Sequence, residues 1–233
     1  MTRSQALQAV AQLCAGAMLA SLCPAQPDEK QGAGEPATGE PAVGEPVKVG
    51  TTLENLIAAY SRANEAHERY VACAKKADEE GYAKVASLFR AAAQARQVHC
   101  LRYGEVIKQL KGAPASAAQS PQDLQVKSTQ ENLLESLKQE TYERQTMCPA
   151  FMERAKAEGN TDAVRVFNCA RSSGEDLMTF FKEADAKLPA MKGNEPAVYF
   201  VCPTCGHTVT KAQMGFKKCP ICFTTAKMFS EVK

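Results

Sequence analysis

TTLENL at residues 51–56 returns as STQENL at residues 128–133. In each copy a hydroxyl residue, Thr51 or Ser128, precedes a glutamate by three positions (Glu54, Glu131), the capping-box pattern that opens a helix. The stripe that follows the first opening runs through Leu53, Leu56, Tyr60, Ala63, His67, Tyr70 and Ala74, the spacing of one helical face. The likeness continues downstream, where KKADEEG (75–81) answers to ERAKAEG (153–159) and VASLF (85–89) to AVRVF (163–167). The offset is 77 at the openings and 78 further on. A repeat that preserves caps, turn and apolar face is a duplicated helical hairpin. The pattern predicts helices over about 52–80, 83–111, 129–158 and 161–187, with residues 112–127 as a long connection. Two hairpins joined in this way make a mainly α fold, a four-helix bundle with one crossover over residues 51–190.

The ends differ from this middle. In the 233-residue chain, Arg3 is followed by an apolar run and by Cys23-Pro24-Ala25, which reads as a signal peptide over residues 1–25 and predicts export to a periplasmic or extracellular space. The run is short and contains Gln8 and Gln12, so no integral membrane span is expected once it is cleaved. Residues 26–50 repeat Gly-Glu-Pro from positions 34, 39 and 44, a composition that buries no apolar surface and reads as a disordered tether. A formal charge of +2 gives no case for nucleic acid.

The strongest motif is C-terminal. In YFVCPTCGHTVTKAQMGFKKCPICF, the pairs Cys202/Cys205 and Cys219/Cys222 are separated by 13 residues. Each Cys-x-x-Cys can curl so that both thiolates face one ion, and two such knuckles complete a tetrahedral four-sulfur site. The module at residues 197–233 is too short to fold on its own core, so the metal would supply much of its stability. Iron and zinc both accept four thiolates.

These pieces together resemble the rubrerythrin family: the ENL openings, LFRAAAQARQVH, TYERQTMCPAF with its proline inside the third helix, and VCPTCG…CPIC, which is similar to a rubredoxin module. The resemblance implies a ferritin-like bundle carrying a carboxylate-bridged di-iron site that reduces peroxide. It also implies a homodimer in which the rubredoxin-type iron, usually of a partner subunit, delivers electrons. Laid on this chain, the family's ligand positions fall on Ala63, Arg96, His99, Glu140, Glu143, Gly174 and Leu177. Only His99, Glu140 and Glu143 keep ligand chemistry; Ala63, Arg96, Gly174 and Leu177 are replacements. Most of the carboxylates that would offset the repulsion of two cations are gone.

Arg96 would project toward Glu140 and Glu143 and can replace metal as their partner. Two other arrangements remain open: Arg96 reaching solvent beside a hydrogen-bonded core His99, or one metal on His99, Glu140 and Glu143 with His67. Glu175 and Asp176 lie about 100° around the helix from the lost positions, off the site-facing side. In an antiparallel bundle Cys148 and Cys169 would be level with one another, as a disulfide or as buried thiols. The functional expectation is an exported iron-binding electron-transfer protein whose bundle has lost ordinary di-iron chemistry, its redox partner unspecified. The alternative is a non-catalytic helical scaffold stabilised by zinc.

Overall fold

The computed structural model describes residues 47–113 and 124–233. The expected signal peptide and most of the tether lie outside the described residues. Four helical rods form the body: α1 (Thr52–Glu79), α2 (Ala83–Gln109), a third rod made of α3 (Thr129–Tyr142), a π-helical turn (Glu143–Met147) and α4 (Cys148–Ala157), and finally α5 (Thr161–Ala186). Among the described residues no helix is long and apolar enough to cross a membrane.

The repeated sequence has a physical meaning at each rod's start. Thr51 Oγ1 accepts from the Glu54 backbone N–H at 3.3 Å, and Glu54 Oε2 accepts from the Thr51 N–H at 2.7 Å. Ser128 and Glu131 repeat both bonds. The asparagine that follows grips the residue before the cap. Asn55 accepts from the Gly50 N–H at 2.9 Å and donates to its carbonyl at 3.2 Å, and Asn132 does the same to Lys127 at 3.1 and 2.9 Å.

The two hairpins also cap each other. Glu80, just past the end of α1, accepts from the Thr129 N–H at 2.9 Å, while Glu158, past the end of α4, accepts from the Thr52 N–H at 3.0 Å. These carboxylates sit at opposite helix N-termini, where orphan N–H groups and the helix dipole both favour negative charge. Gly81 and Gly159 then turn the chain with φ of 78° and 70°, left-handed values that suit glycine.

The core is divided. One apolar cluster holds Tyr70, Phe89 and Phe181, with ring centroids 5.6–6.0 Å apart, together with Leu133 and Leu177. A second holds Ala63, Cys100, Tyr103, Cys148, Phe151 and Phe167. Arg96 and His99 on α2, Glu140 and Glu143 on the third rod, and Ser173 and Gly174 on α5 occupy the level between them and are buried.

After a 3-10 turn (Leu188–Met191), three short antiparallel strands, β1 (Tyr199–Val201), β2 (Thr208–Thr210) and β3 (Ser230–Val232), form a sheet in the order β2-β1-β3. The sheet lies against α2 and α5, with Tyr199 packed on Phe180 at 5.4 Å between rings.

Because each asparagine satisfies two backbone groups ahead of a helix, Asn55→Ala and Asn132→Ala should each destabilise the fold by about 1–2 kcal/mol. Urea denaturation followed by circular dichroism measures this. Unchanged midpoints would mean that these bonds are replaced by water at no cost.

Candidate metal module and buried ionic layer

The four cysteines of the two C-terminal motifs converge. Their sulfur atoms all lie within 4.8 Å of one another and all four residues are buried. Cys202 and Cys222 are 3.5 Å apart through sulfur, Cys205 and Cys219 3.6 Å. Four sulfurs about 2.3 Å from a common centre stand roughly 3.8 Å apart, so the cage fits a tetrahedral four-thiolate metal. Hydrogen bonds with Cys205 and Cys219 draw the Cys202 thiol down to about 7, while its bonds with Cys202 and Cys219 push Cys205 far up. Thiols this close resist ionising together unless a cation takes them all.

Both knuckles use one backbone pattern. Gly206 N–H donates to the Cys202 carbonyl at 3.0 Å and Phe223 N–H to the Cys219 carbonyl at 2.9 Å; Cys202 and Cys219 in turn donate to His207 and Thr224 carbonyls. The first knuckle is pressed onto the bundle. Arg102 Nε donates to the Thr204 carbonyl at 2.9 Å, His207 Nδ1 lies 3.1 Å from Asp176, and His99 Nε2 lies 3.1 Å from the Cys205 carbonyl and 2.9 Å from Ser173 Oγ. Since a carbonyl only accepts, Nε2 carries the proton, and Ser173, whose hydroxyl donates to the Ala170 carbonyl, can accept from it as well. A Cβ at Gly206 would stand 2.8 Å from His99 Nε2 and 3.0 Å from the Ala95 carbonyl, so glycine is what permits this approach.

In the level between the two cores, Arg96 is 3 % exposed and does not reach solvent. Its Nη2 lies 2.6 Å from Glu140 Oε1, and Nη1 donates to Glu143 Oε2. Tyr70 Oη donates to Glu140 Oε1 at 2.8 Å, and Arg62 Nε stands 3.8 Å from Glu143 Oε1 from a half-exposed position. Burial opposes the Arg96 charge, but Glu140 and Glu143 outweigh it and hold the guanidinium well above its ordinary pKa. Burial lifts Glu140, whereas Arg96 and Arg62 overcome burial at Glu143 and hold it low. Gly174 faces Glu140, a Cβ there standing 3.3 Å from its Oε2, while Ala63 and Leu177 are buried in the two apolar clusters. Glu175 and Asp176 turn elsewhere, to Arg144 at 2.8 Å and to His207. His67 Nδ1 contacts the Ala93 carbonyl at 2.9 Å.

No disulfide joins Cys148 and Cys169. Cys148 packs in the second apolar cluster, whereas Cys169 packs against the four-cysteine module, so the two face different neighbours. The π-turn just before Cys148 inserts an extra residue and advances everything after it by about 100° relative to an unbroken α-helix.

Two residues of the layer escaped the sequence reading as functional groups. Tyr70 carried a signal, a hydroxyl on the inward stripe two turns from Ala63. Ser173 carried none, because its role appears only when the module closes on His99.

Several known proteins are similar to this chain. Residues 54–173 match the family model described as Rubrerythrin. Nigerythrin of Nitratidesulfovibrio vulgaris is 36% identical over 189 residues, 78% of this chain and 87% of that protein. A putative rubrerythrin of Methanocaldococcus jannaschii is 29% identical over 198 residues, 80% and 95% of the two chains. The solved structure of fully reduced, all-ferrous nigerythrin superposes with a TM-score of 0.70 at 33% identity, covering 81% of this chain and 91% of that one.

Two measurements test the layer. Arg96→Glu leaves buried carboxylates without their cation and should destabilise the metal-loaded protein by about 3–5 kcal/mol in denaturant; an unchanged midpoint would mean the ion pairs contribute nothing. Burial, reinforced by Arg96, pulls His99 from its usual 6.5 to about 4. Between those values the unfolded chain takes up a proton that the folded state refuses, so stability declines as pH falls from 6.5 to 4, by on the order of 3 kcal/mol. His99→Gln should flatten that part of the stability–pH curve, and an unaltered slope would place the titration elsewhere.

Proposed function

Because the chain belongs to the rubrerythrin family, we propose that it is an exported electron-transfer protein holding one iron on Cys202, Cys205, Cys219 and Cys222, with a bundle in which an arginine stands in for the di-iron centre. The observation that carries this reading is Arg96, buried and shared between Glu140 and Glu143 while the four sulfurs remain convergent. The bundle's residues do not fit two metals. A guanidinium has no lone pair to offer a cation, and its fixed charge repels one. Ala63, Gly174 and Leu177 supply no ligand atoms. The four-sulfur cage does fit.

When bound, iron on four thiolates supplies a one-electron ferric/ferrous couple. The chain's own residues bury the sulfurs, fix the first knuckle through His99 and Arg102, and hold His99 neutral beside it. Export is supported by the apolar N-terminal run ending at Cys23-Pro24-Ala25, and a homodimer by the family.

One preparation tests the proposal. Protein purified from the cell envelope should contain one iron per chain, show sulfur-to-iron charge-transfer absorption, and begin near Gln26 by mass spectrometry. Three irons per chain would overturn the reading of the bundle. Zinc and no colour would turn the protein into a metal-stabilised scaffold.

A further inference from the structure

The two knuckles share a backbone but differ in the side chain that closes each turn. Two residues after the last cysteine, the His207 carbonyl accepts from the Cys202 N–H at 2.9 Å and the Thr224 carbonyl from the Cys219 N–H at 2.7 Å. There the likeness ends. The His207 ring turns to Asp176, with Nδ1 3.1 Å from the carboxylate. The Thr224 hydroxyl meets the cage instead, its Oγ1 standing 3.2 Å from Cys222 Sγ and 2.7 Å from Thr204 Oγ1 in the other knuckle. Thr204 is itself held by the bundle, since its carbonyl accepts from Arg102 Nε at 2.9 Å. A line of contacts therefore runs from α2 through two hydroxyls to one sulfur.

From this we propose that Thr224 is a positioning residue whose hydroxyl, oriented by Thr204, donates to the Cys222 thiolate and raises the reduction potential of the four-sulfur site. The proposal rests on the reading that the cage holds iron. A thiolate bound to metal carries no proton and can only accept. Each hydroxyl has one proton and two lone pairs, so Thr204 can give its proton to Thr224 Oγ1 and leave the Thr224 proton for the charged sulfur. Cys222 is 5% exposed, so bulk water competes little for that sulfur. Reduction from ferric to ferrous by an outside one-electron donor adds a negative charge to the site, with no bond made or broken. A donor on a sulfur stabilises the more negative state, and hydrogen bonds of this kind help to set the potentials of iron on thiolates.

The test is a mediated spectroelectrochemical titration of the full, iron-loaded protein, read at its sulfur-to-iron charge-transfer band. Thr224→Val keeps the volume and removes the proton. At a fixed potential its ferrous-to-ferric ratio should fall about tenfold, which is a midpoint lower by about 59 mV for one electron. Thr224→Ser should restore most of that ratio. Thr204→Val leaves the Thr224 hydroxyl in place without its orienting partner and should lower the ratio by a smaller factor. Resonance Raman spectra in heavy water read the same bond without a variant at position 224: exchange of the hydroxyl proton should shift the metal–sulfur stretching bands of the native protein more than those of Thr204→Val. A potential unmoved by Thr224→Val would overturn the proposal. So would Thr224→Ser matching Thr224→Val, because volume and not the proton would then set the potential, or Thr204→Val matching the native protein in both measurements. Zinc in the protein as isolated would overturn the functional reading and this role together, whereas iron with unmoved potentials would overturn this role alone.

Discussion

A guanidinium placed inside a helical bundle must be neutralised where it stands, and this requirement organises the middle of the molecule. Arg96 is 3% exposed, so bulk water does not hydrate its charge. Two carboxylates answer it, Glu140 and Glu143, three residues apart and therefore on one helical face. That leaves an excess of negative charge, which Arg62 reduces from the rim while Tyr70 donates to Glu140. The small residues follow from the same constraint. Gly174 stands close enough to Glu140 that a larger side chain would press on the carboxylate. Desolvation offsets much of the attraction in such a layer, so its effect on net stability is modest even though loss of one member is costly.

The layer also conditions the metal module. His99 lies next to Arg96 and is buried, and both facts favour the neutral imidazole. A neutral ring with its proton on Nε2 can donate to the Cys205 carbonyl without adding charge beside the sulfurs. Gly206 then lets the knuckle come down onto the ring. The position that is a ligand in the family pattern thus serves here as a contact between the bundle and the four-cysteine cage.

What could be read from sequence was local. Capping boxes, the glycine turns and the paired Cys-x-x-Cys motifs each depend on residues within a few positions of one another, and all have counterparts in the fold. The Arg96 network was approachable because the repeat and the family pattern placed three side chains at one level. Long-range roles were not visible: nothing local marks Glu80 and Glu158 as caps for the opposite hairpin, or Ser173 as a partner of His99. Cys148 and Cys169, open in sequence to a disulfide or to buried thiols, pack in different clusters. Axial level follows from 1.5 Å of rise per residue, but azimuth depends on an unbroken helix, and here a π-turn at Glu143–Met147 precedes Cys148.

The duplicated hairpins kept some features and lost others, and the division follows their physical roles. The caps are reciprocal, since each hairpin closes the other's first helix, so loss of Glu80 or Glu158 exposes a backbone N–H of the opposite copy. They remain alike: Glu54 with Glu131, Asn55 with Asn132, Glu80 with Glu158. The layer positions are buried inside the bundle, and their shared demand is balanced charge and filled volume. There the copies diverge, Ala63 against Glu140, Arg96 against Gly174, His99 against Leu177. One hairpin supplies the cations and the other the anions, so neither can bury its share of the layer alone. Charge complementarity in this bundle therefore joins the two halves, a task that symmetric ligand sets around shared metals would perform with identical contributions from each.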